Sequence, residues 1–596
     1  MFQSFEVTAQ PEQGPPRLAA LRAELAAEGL AGFIIPRADA HQGEYVAAHD
    51  DRLAWLTGFT GSAGFCVALQ DQAGVFIDGR YRTQVKAQVA DVYKPVPWPE
   101  VSLGTWLREK LPKGGTVGFD PWLHTPAQIE QARKALAGTP VTLKETGNLV
   151  DRIWSDQPAP PMQPAKIHPM DFAGESHADK RQRLAEDLRE AGQSAAVITL
   201  PDSHNWLLNI RGADIARNPV AHGFALLHAD ASVDLFMAAE KIAGLDAHFG
   251  ADVRCHAPAD FLPALDALAG SVRIDKHTVP VMVANRLGDK ADAGMDPCAI
   301  PKACKNPAEI EGARAAHLRD GAALCDVLAW LEAQTLGSLT ETQVVSRLEA
   351  ARRQDNALQD ISFETIAGGG PNGAIMHYRV TEETDRTLGD GDLLVLDSGG
   401  QYLDGTTDIT RTIAIGTPPA EACAAFTRVL TGMIAMSQLR WPVGLCGAHI
   451  EAIGRVPLWL AGQDFDHGLG HGVGAYLSVH EGPQRLSRQS HVPLRPGMIL
   501  SNEPGYYREG VFGIRIENLL VVREAAALPG GDAHREMLDW ETLSFAPIDR
   551  RLIDLDLLPA HARTWLNAYH AEVAKKIGPR LSPETKLWLD QVTQPL

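Results

Sequence analysis

Long uncharged runs are missing from this 596-residue sequence. No segment strings together the roughly 18 apolar residues that a membrane-crossing helix needs, so a spanning helix is excluded. The opening decapeptide MFQSFEVTAQ carries Glu6 and has no basic stretch followed by an apolar one, so it lacks the form of a secretory leader. Cysteine is scarce: Cys66, Cys255, Cys298, Cys304, Cys325, Cys423 and Cys446 are scattered, odd in number and never spaced as C-x-x-C. Neither a disulfide framework nor a zinc knuckle is indicated, and a reducing compartment fits best. These absences predict a cytoplasmic protein without a membrane partner. Positive charge is also in deficit, with 55 Lys and Arg against 74 Asp and Glu and a net charge of −19. Phosphate-backbone binding needs a dense cationic surface, so nucleic acid is excluded as a partner.

What is present is a globular composition, 45% hydrophobic and 22% charged, on a length that accommodates roughly two to four domains. Over the first 155 residues short apolar runs, GFIIP at 32–36, CVAL at 66–69 and GVFID at 74–78, alternate with helix-like stretches such as LAALRAELAAEGL at 18–30. That alternation predicts an α/β domain over 1–155. The proline-loaded stretch 156–169 cannot continue a helix or an interior strand and reads as a linker. A second α/β unit follows over 156–302, opening with an amphipathic helix at 177–192 and the buried-strand run AAVITL at 195–200. It echoes the first in style, without a residue-level repeat. The third region, 303–596, opens where Asn306, Pro307 and Glu309 supply an N-cap, an N1 proline and a capping-box glutamate for a long helix to about Gln334, and Thr340 with Gln343 starts the next helix the same way. From about 540 the chain ends in an extension of polar helical segments to which no chemistry is assigned.

Two strand hairpins are expected in the third region, at 393–415 and 497–522, each holding two carboxylates in its strands. Asp397 and Asp408 flank a Gly-containing turn, and Glu503 and Glu517 stand in the same relation, so each hairpin can present its pair on one side of a sheet. Taken singly, an Asp before Gly is usually a turn former and a Glu before Pro a solvated loop residue. The surrounding strings LLVLD, MILSNE and GIRIE are strongly apolar, however, and an unpartnered carboxylate there is costly. Four carboxylates that converge repel one another unless cations join them, and two divalent ions balance their charge. The segment DHGLGHGVGAYLSVHEGP at 466–483 supplies a fifth donor, best His471. His467 and His471 are spaced i, i+4 as in a helical zinc motif, but Gly468, Gly470, Gly472 and Gly474 argue against a helix. A hard set of one imidazole and four carboxylates suits manganese, or cobalt and zinc in some settings.

The strings LDSGGQYLDGTTDITRT, HGLGHGVGAYLSVHEGP, SNEPGYY and FGIRIEN closely resemble the catalytic domain of the pita-bread metallopeptidases, and among these the long, three-domain form of aminopeptidase P. The stretches 39–65 and DGRYRTQ at 78–84 resemble that family's first domain, and 302–325 resembles the entry to its catalytic domain. The resemblance implies a mixed α/β and α+β multidomain chain, two creatinase-like α/β domains before a pita-bread catalytic domain. It implies Asp397, Asp408, His471, Glu503 and Glu517 as the metal ligands, two divalent ions per subunit, most readily Mn2+, and a homodimer.

The implied activity is an Xaa-Pro aminopeptidase, which removes the N-terminal residue from peptides with proline in second position by attack of a hydroxide bridging two metals. In that scheme Glu503 shuttles the proton, His377 sits near the substrate backbone at the scissile bond, and His480 donates to the carbonyl oxygen. Arg80, in DGRY, is carried over as a substrate contact, its guanidinium suited to peptide carbonyls or a carboxylate terminus. Arg515, two residues before Glu517, is placed to brace ligand carboxylates, and Tyr506 and Tyr507 suit either a proline pocket or plain packing. His41 and Glu44 receive no role. The alternatives are a proline dipeptidase of the same fold and a non-catalytic peptide-binding relative. Retention of all five ligand types argues against the latter.

Overall fold

In the computed structural model, which describes residues 1–596, each apolar run of the N-terminal half becomes a strand. Strands β1 (Gly32–Pro36), β2 (Phe65–Leu69), β3 (Ala73–Ile77), β4 (Tyr93–Pro97), β5 (Gly115–Phe119) and β6 (Val141–Glu145) form one sheet in the order β4-β3-β2-β1-β5-β6. The β1-β2-β3 pairings are antiparallel and the rest parallel. The proline-rich stretch 156–169 adds only the two-residue strand Lys166–Ile167. A second sheet then repeats the plan. Strands β7 (Ala195–Ile198), β8 (Phe224–His228), β9 (Val233–Phe236), β10 (Val253–His256), β11 (Val272–Ile274) and β12 (Ala291–Ala293) take the order β10-β9-β8-β7-β11-β12, with the same parallel and antiparallel joins. One topology is thus built twice from unlike residues, because sheet order depends on where apolar runs and turns fall rather than on which apolar side chain fills them. Both sheets belong to one compact unit, Thr8–Ala299.

The other compact unit comprises Ile300–Leu596 together with Met1–Val7. The first seven residues of the expected 1–155 segment therefore pack away from the sheet that follows them. The Phe2 amide donates to both carboxylate oxygens of buried Glu349 (2.7 and 2.9 Å), and Gln3 pairs reciprocally with Thr365. Helix α1 (Pro307–Glu332) starts on the expected capping box: the Asn306 side chain accepts from the amides of Ala308 and Glu309, and Glu309 accepts from the Asn306 amide. It stops two residues before Gln334. Helix α2 (Glu341–Arg352) follows, with Gln343 accepting from the Thr340 amide at 3.0 Å.

Strands β13 (Ile366–Gly369), β14 (Leu393–Ser398) and β15 (Ile409–Ala414) form an antiparallel sheet in the order β13-β14-β15, and every residue of β14 and β15 is buried. Helix α3 (Ala420–Ser437) follows, contributing Phe426, Leu430 and Met433 to a core shared with Leu396, Leu500 and Ile514. A six-stranded sheet runs β16 (Trp441–Pro442), β23 (Met537–Thr542), β22 (Asn518–Glu524), β19 (Ile499–Asn502), β17 (Gly470–Gly472), β18 (Glu481–Leu486).

The expected pairing at 393–415 forms, with Asp397 opposite Thr410, but between β14 and β15 two short strands, Gly400–Tyr402 and Gly405–Thr406, pair with each other and join a different sheet. The one at 497–522 does not form as a simple hairpin: β19 pairs with β22, but a separate hairpin of β20 (Gly505–Arg508) and β21 (Phe512–Arg515) is inserted between them. Nor do the strands hold all four carboxylates. Only Asp397 lies within one; Asp408 precedes β15, Glu503 follows β19, and Glu517 sits between β21 and β22. Pro504 has no N–H to give a ladder and ends β19 just past Glu503. The polar tail forms α4 (Ala560–Ile577) and α5 (Pro583–Val592).

Candidate metal centre

Backbone register decides which acids meet. The Glu517 amide donates to the Thr410 carbonyl (3.1 Å) and the Thr410 hydroxyl donates to Glu517 Oε2 (2.9 Å), which ties the end of β21 to the strand facing Asp397. His471 enters from β17, where Gly470 is obligatory: a Cβ there would lie 1.9 Å from the Ser501 carbonyl oxygen. Glycine is what lets β17 approach β19. One nitrogen of His471, Nδ1, lies 2.9 Å from the Gly472 carbonyl oxygen, which leaves Nε2 facing Asp408 Oδ2 at 3.5 Å and Glu503 Oε1 at 3.6 Å. Donor atoms of Asp408, His471 and Glu517 all lie within 4.8 Å of one another. Arg515 completes the cluster, with Nε and Nη2 donating to Asp397 Oδ2 at 3.0 and 2.7 Å.

The electrostatics are those of a crowded anionic site. Burial, then the charges of Asp397 and Glu503, lift the Asp408 carboxyl well above the ordinary range. Burial, then Asp408 and Asp397, do the same to Glu517, and burial with Glu517 raises Glu503 to about 7. Burial alone would lower the Arg515 guanidinium, but Tyr507 and Asp397 more than reverse it, so this cation stays charged. One guanidinium cannot neutralise four carboxylates. Three buried oxygens, Asp397 Oδ1, Asp408 Oδ1 and Glu517 Oε1, have no hydrogen-bond donor at all. Orphaned anionic oxygens beside an available imidazole nitrogen are what hard divalent cations require, so the donor set fits such ions.

His480 is beside the cluster, its ring 4.3 Å from that of His471 and nearly perpendicular to it. His377 lies in the turn after the 3-10 helix Gly370–Ala374. Arg80 is in the other compact unit, where its guanidinium forks onto Asp78 at 3.0 and 2.7 Å. His41 and Glu44 are in that unit too, His41 against the Thr199 carbonyl and Glu44 accepting from Ser62.

The sequence reading missed a support chain. The Tyr507 hydroxyl lies 2.9 Å from His467 Nε2 and accepts from Arg515 Nη1 at 2.6 Å, so His467 braces Asp397 through two intermediaries rather than joining the donors. It also missed Thr410 and Thr412. Thr412 exchanges hydrogen bonds with the Arg515 backbone, and the period-2 spacing of Asp408, Thr410 and Thr412 was the available signal.

Residues 311–524 match the model of metallopeptidase family M24, and 536–596 match the C-terminal region of that peptidase family. Residues 17–153 and 156–309 each match a creatinase/prolidase N-terminal domain. The chain is 37% identical to aminopeptidase P2 of Arabidopsis thaliana, covering 95% of this chain and 86% of that one. It is also 37% identical to a probable Xaa-Pro aminopeptidase P of Laccaria bicolor, covering 97% and 93%. Among solved structures it resembles the X-prolyl aminopeptidase of Caenorhabditis elegans, described as a cytosolic enzyme with a di-nuclear active site, with a TM-score of 0.93, 32% identity and coverage of 98% and 100%.

Proposed function

The chain belongs to the M24 metallopeptidase family, within its aminopeptidase P branch, and from that premise we propose that it removes the N-terminal residue of peptides whose second residue is proline. The observation that carries the reading is the convergence of Asp397, Asp408, His471, Glu503 and Glu517 with three buried oxygens lacking donors. These five residues would hold two divalent ions, manganese by the hardness of the donors, and Arg515 would keep Asp397 in place. Bound there, such ions supply the positive charge that makes water acidic near neutral pH and polarises a carbonyl.

The protein's own groups do the rest. Glu503 has a side chain 18% exposed, against 5% for Asp408, and it accepts from Ser501 at 3.3 Å, so it faces the open side of the cluster. It takes a proton from the attacking water and passes it to the proline nitrogen, which is tertiary in the substrate and does not leave unprotonated. His480, ring to ring with His471, donates to the carbonyl oxygen as charge builds on it. His377 holds the peptide backbone at the scissile bond. Arg80 is kept as a substrate contact by its guanidinium chemistry, which suits peptide carbonyls or a carboxylate terminus.

We place the enzyme in the cytoplasm, as the nematode neighbour is described, and no helix is long and apolar enough to cross a membrane. A homodimer follows from the family resemblance and is read by light scattering. The deciding experiment is hydrolysis by the manganese-loaded protein of matched tripeptides with proline or alanine in second position. Cleavage of the proline peptide alone is expected, and equal cleavage of both overturns the assignment. Hydrolysis of Xaa-Pro dipeptides with none of tripeptides would instead mark a proline dipeptidase.

A further inference from the structure

Glu341 opens α2 and is wholly buried, yet no cation pairs with it. Its carboxylate instead accepts from neutral donors: the Gly369 amide at 2.7 Å, Asn372 Nδ2 at 3.0 Å to each oxygen, the Tyr378 hydroxyl at 2.8 Å and the Arg386 amide at 3.3 Å. The Arg386 guanidinium turns away to Asp392, at 3.0 and 3.2 Å. Burial lifts the Glu341 carboxyl above its ordinary value, and these donors oppose that lift. A buried anion held by several neutral donors fixes all of them, because any donor that leaves deprives the charge of compensation.

Three of those donors lie in the one segment 369–378: Gly369 ends β13, Asn372 is in the 3-10 helix, and Tyr378 is next to His377. The opposite side of the same segment is held by backbone contact. A Cβ on Gly513, in β21, would lie 1.7 Å from the Gly373 carbonyl oxygen, so the loop and the strand that carries Arg515 touch without side chains between them. Behind it, β13 pairs with β14 so that Ile366 stands opposite Asp397. The loop has two fixed walls, and Glu341 is the anchor that sets its remaining freedom.

We infer that Glu341 is a positioning residue for His377, its carboxylate holding the 369–378 loop so that the imidazole meets the peptide backbone. This rests on the substrate contact given to His377 above. The test is a double-mutant cycle on the manganese-loaded, full-length protein, comparing Glu341→Ala, His377→Ala and both together. It has three readouts: kcat/KM on a proline tripeptide, the dissociation constant of the same tripeptide with its scissile carbonyl reduced to a methylene on the proline nitrogen, and bound manganese.

Glu341→Ala is expected to weaken kcat/KM and analogue binding by about ten- to a hundredfold, the scale of an ångström-level misplacement, with manganese content unchanged. Added to His377→Ala, it is expected to cost nothing more. Multiplying losses, or manganese lost from Glu341→Ala, would overturn the positioning role while leaving His377 in place. A His377→Ala variant indistinguishable from wild type would instead overturn the reading of His377, and this inference with it. Should Glu341→Ala not fold, Tyr378→Phe removes one donor and keeps the ring. The same non-additive pattern is then expected at about tenfold, the lower end for one hydrogen bond to a charged group.

Discussion

Burial and mutual repulsion raise the carboxyls of Asp408, Glu503 and Glu517, and the sign of that shift fixes how the protein stripped of metal by a chelator responds to pH. Glu503 titrates at about 7 when folded and near 4.3 when unfolded, so between those values the folded state holds the extra proton. The stability it contributes is full below the unfolded value and is lost as pH rises through 7. In EDTA-treated protein, the Tm of wild type minus that of Glu503→Gln is expected to become more negative from pH 5.0 to 7.5. A flat difference would mean that Glu503 is not displaced.

Arg515 permits a second expectation. Arg515→Leu leaves Asp397 Oδ2 without its two donors and should lower manganese affinity by about 10- to 100-fold, as loss of a partner that orients a ligand does. Isothermal titration checks it, and unchanged affinity would reduce the pair to a structural contact. Asp397, Glu503 and Glu517 were legible as candidates because they stand in the apolar strings LLVLD, MILSNE and GIRIE, where a carboxylate demands a partner; Asp408, in GTTDIT, was reached only through its place across the turn from Asp397. The brace from His467 through Tyr507 was not legible, because 40 residues separate those two side chains and no short-range pattern links them.

At the scale of elements, the capping boxes of α1 and α2 and the pairing of β14 with β15 were legible because their signals are local; the short strand pair inserted at 400–406 was not. Nor was the inserted β20-β21 hairpin, since its two strands are only four residues each, GYYR and FGIR, too short for an apolar alternation to mark them. The tail was assigned no chemistry, and the structure gives it a mechanical one. Arg411 of β15 is wholly buried; it donates to the Glu517 carbonyl at 2.6 Å, to Asn518 Oδ1 at 2.9 Å and to the Tyr569 hydroxyl of α4 at 2.8 Å. The tail helix thus holds the strand end that presents Glu517. Tyr569→Phe removes the acceptor of the Arg411 bond together with the contacts this hydroxyl makes to Asn518 Oδ1 and to the Ser544 and Ala546 carbonyls, and is expected to cost about 1.5–3 kcal/mol of stability. Urea unfolding measures it, and a loss under about 0.5 kcal/mol, the lower end for any hydrogen bond, would show that the Tyr569 hydroxyl does not hold this strand end.

At the scale of the whole molecule, chain order and spatial order part company at the N-terminus. Residues 2 and 3 are followed by nearly 300 residues of the other compact unit, yet they complete the one that carries the metal centre. Composition could not show this, because Phe2 and Gln3 carry no pattern; only their partners Glu349 and Thr365 give them a place. Thr365 immediately precedes β13, the strand paired with β14 opposite Asp397. Replacing Glu349 by Ala leaves the Phe2 amide without its acceptor, and deleting residues 1–7 also strips Thr365 of its reciprocal pair. Both changes are expected to loosen the edge of the β13-β14-β15 sheet while leaving β1–β6 alone. Hydrogen exchange reads the two regions separately: faster exchange at 358–369 and unchanged exchange at 32–36 and 115–119 is the expected pattern. Equal loosening in both would mean that the N-terminal residues stabilise the chain globally rather than through this strand.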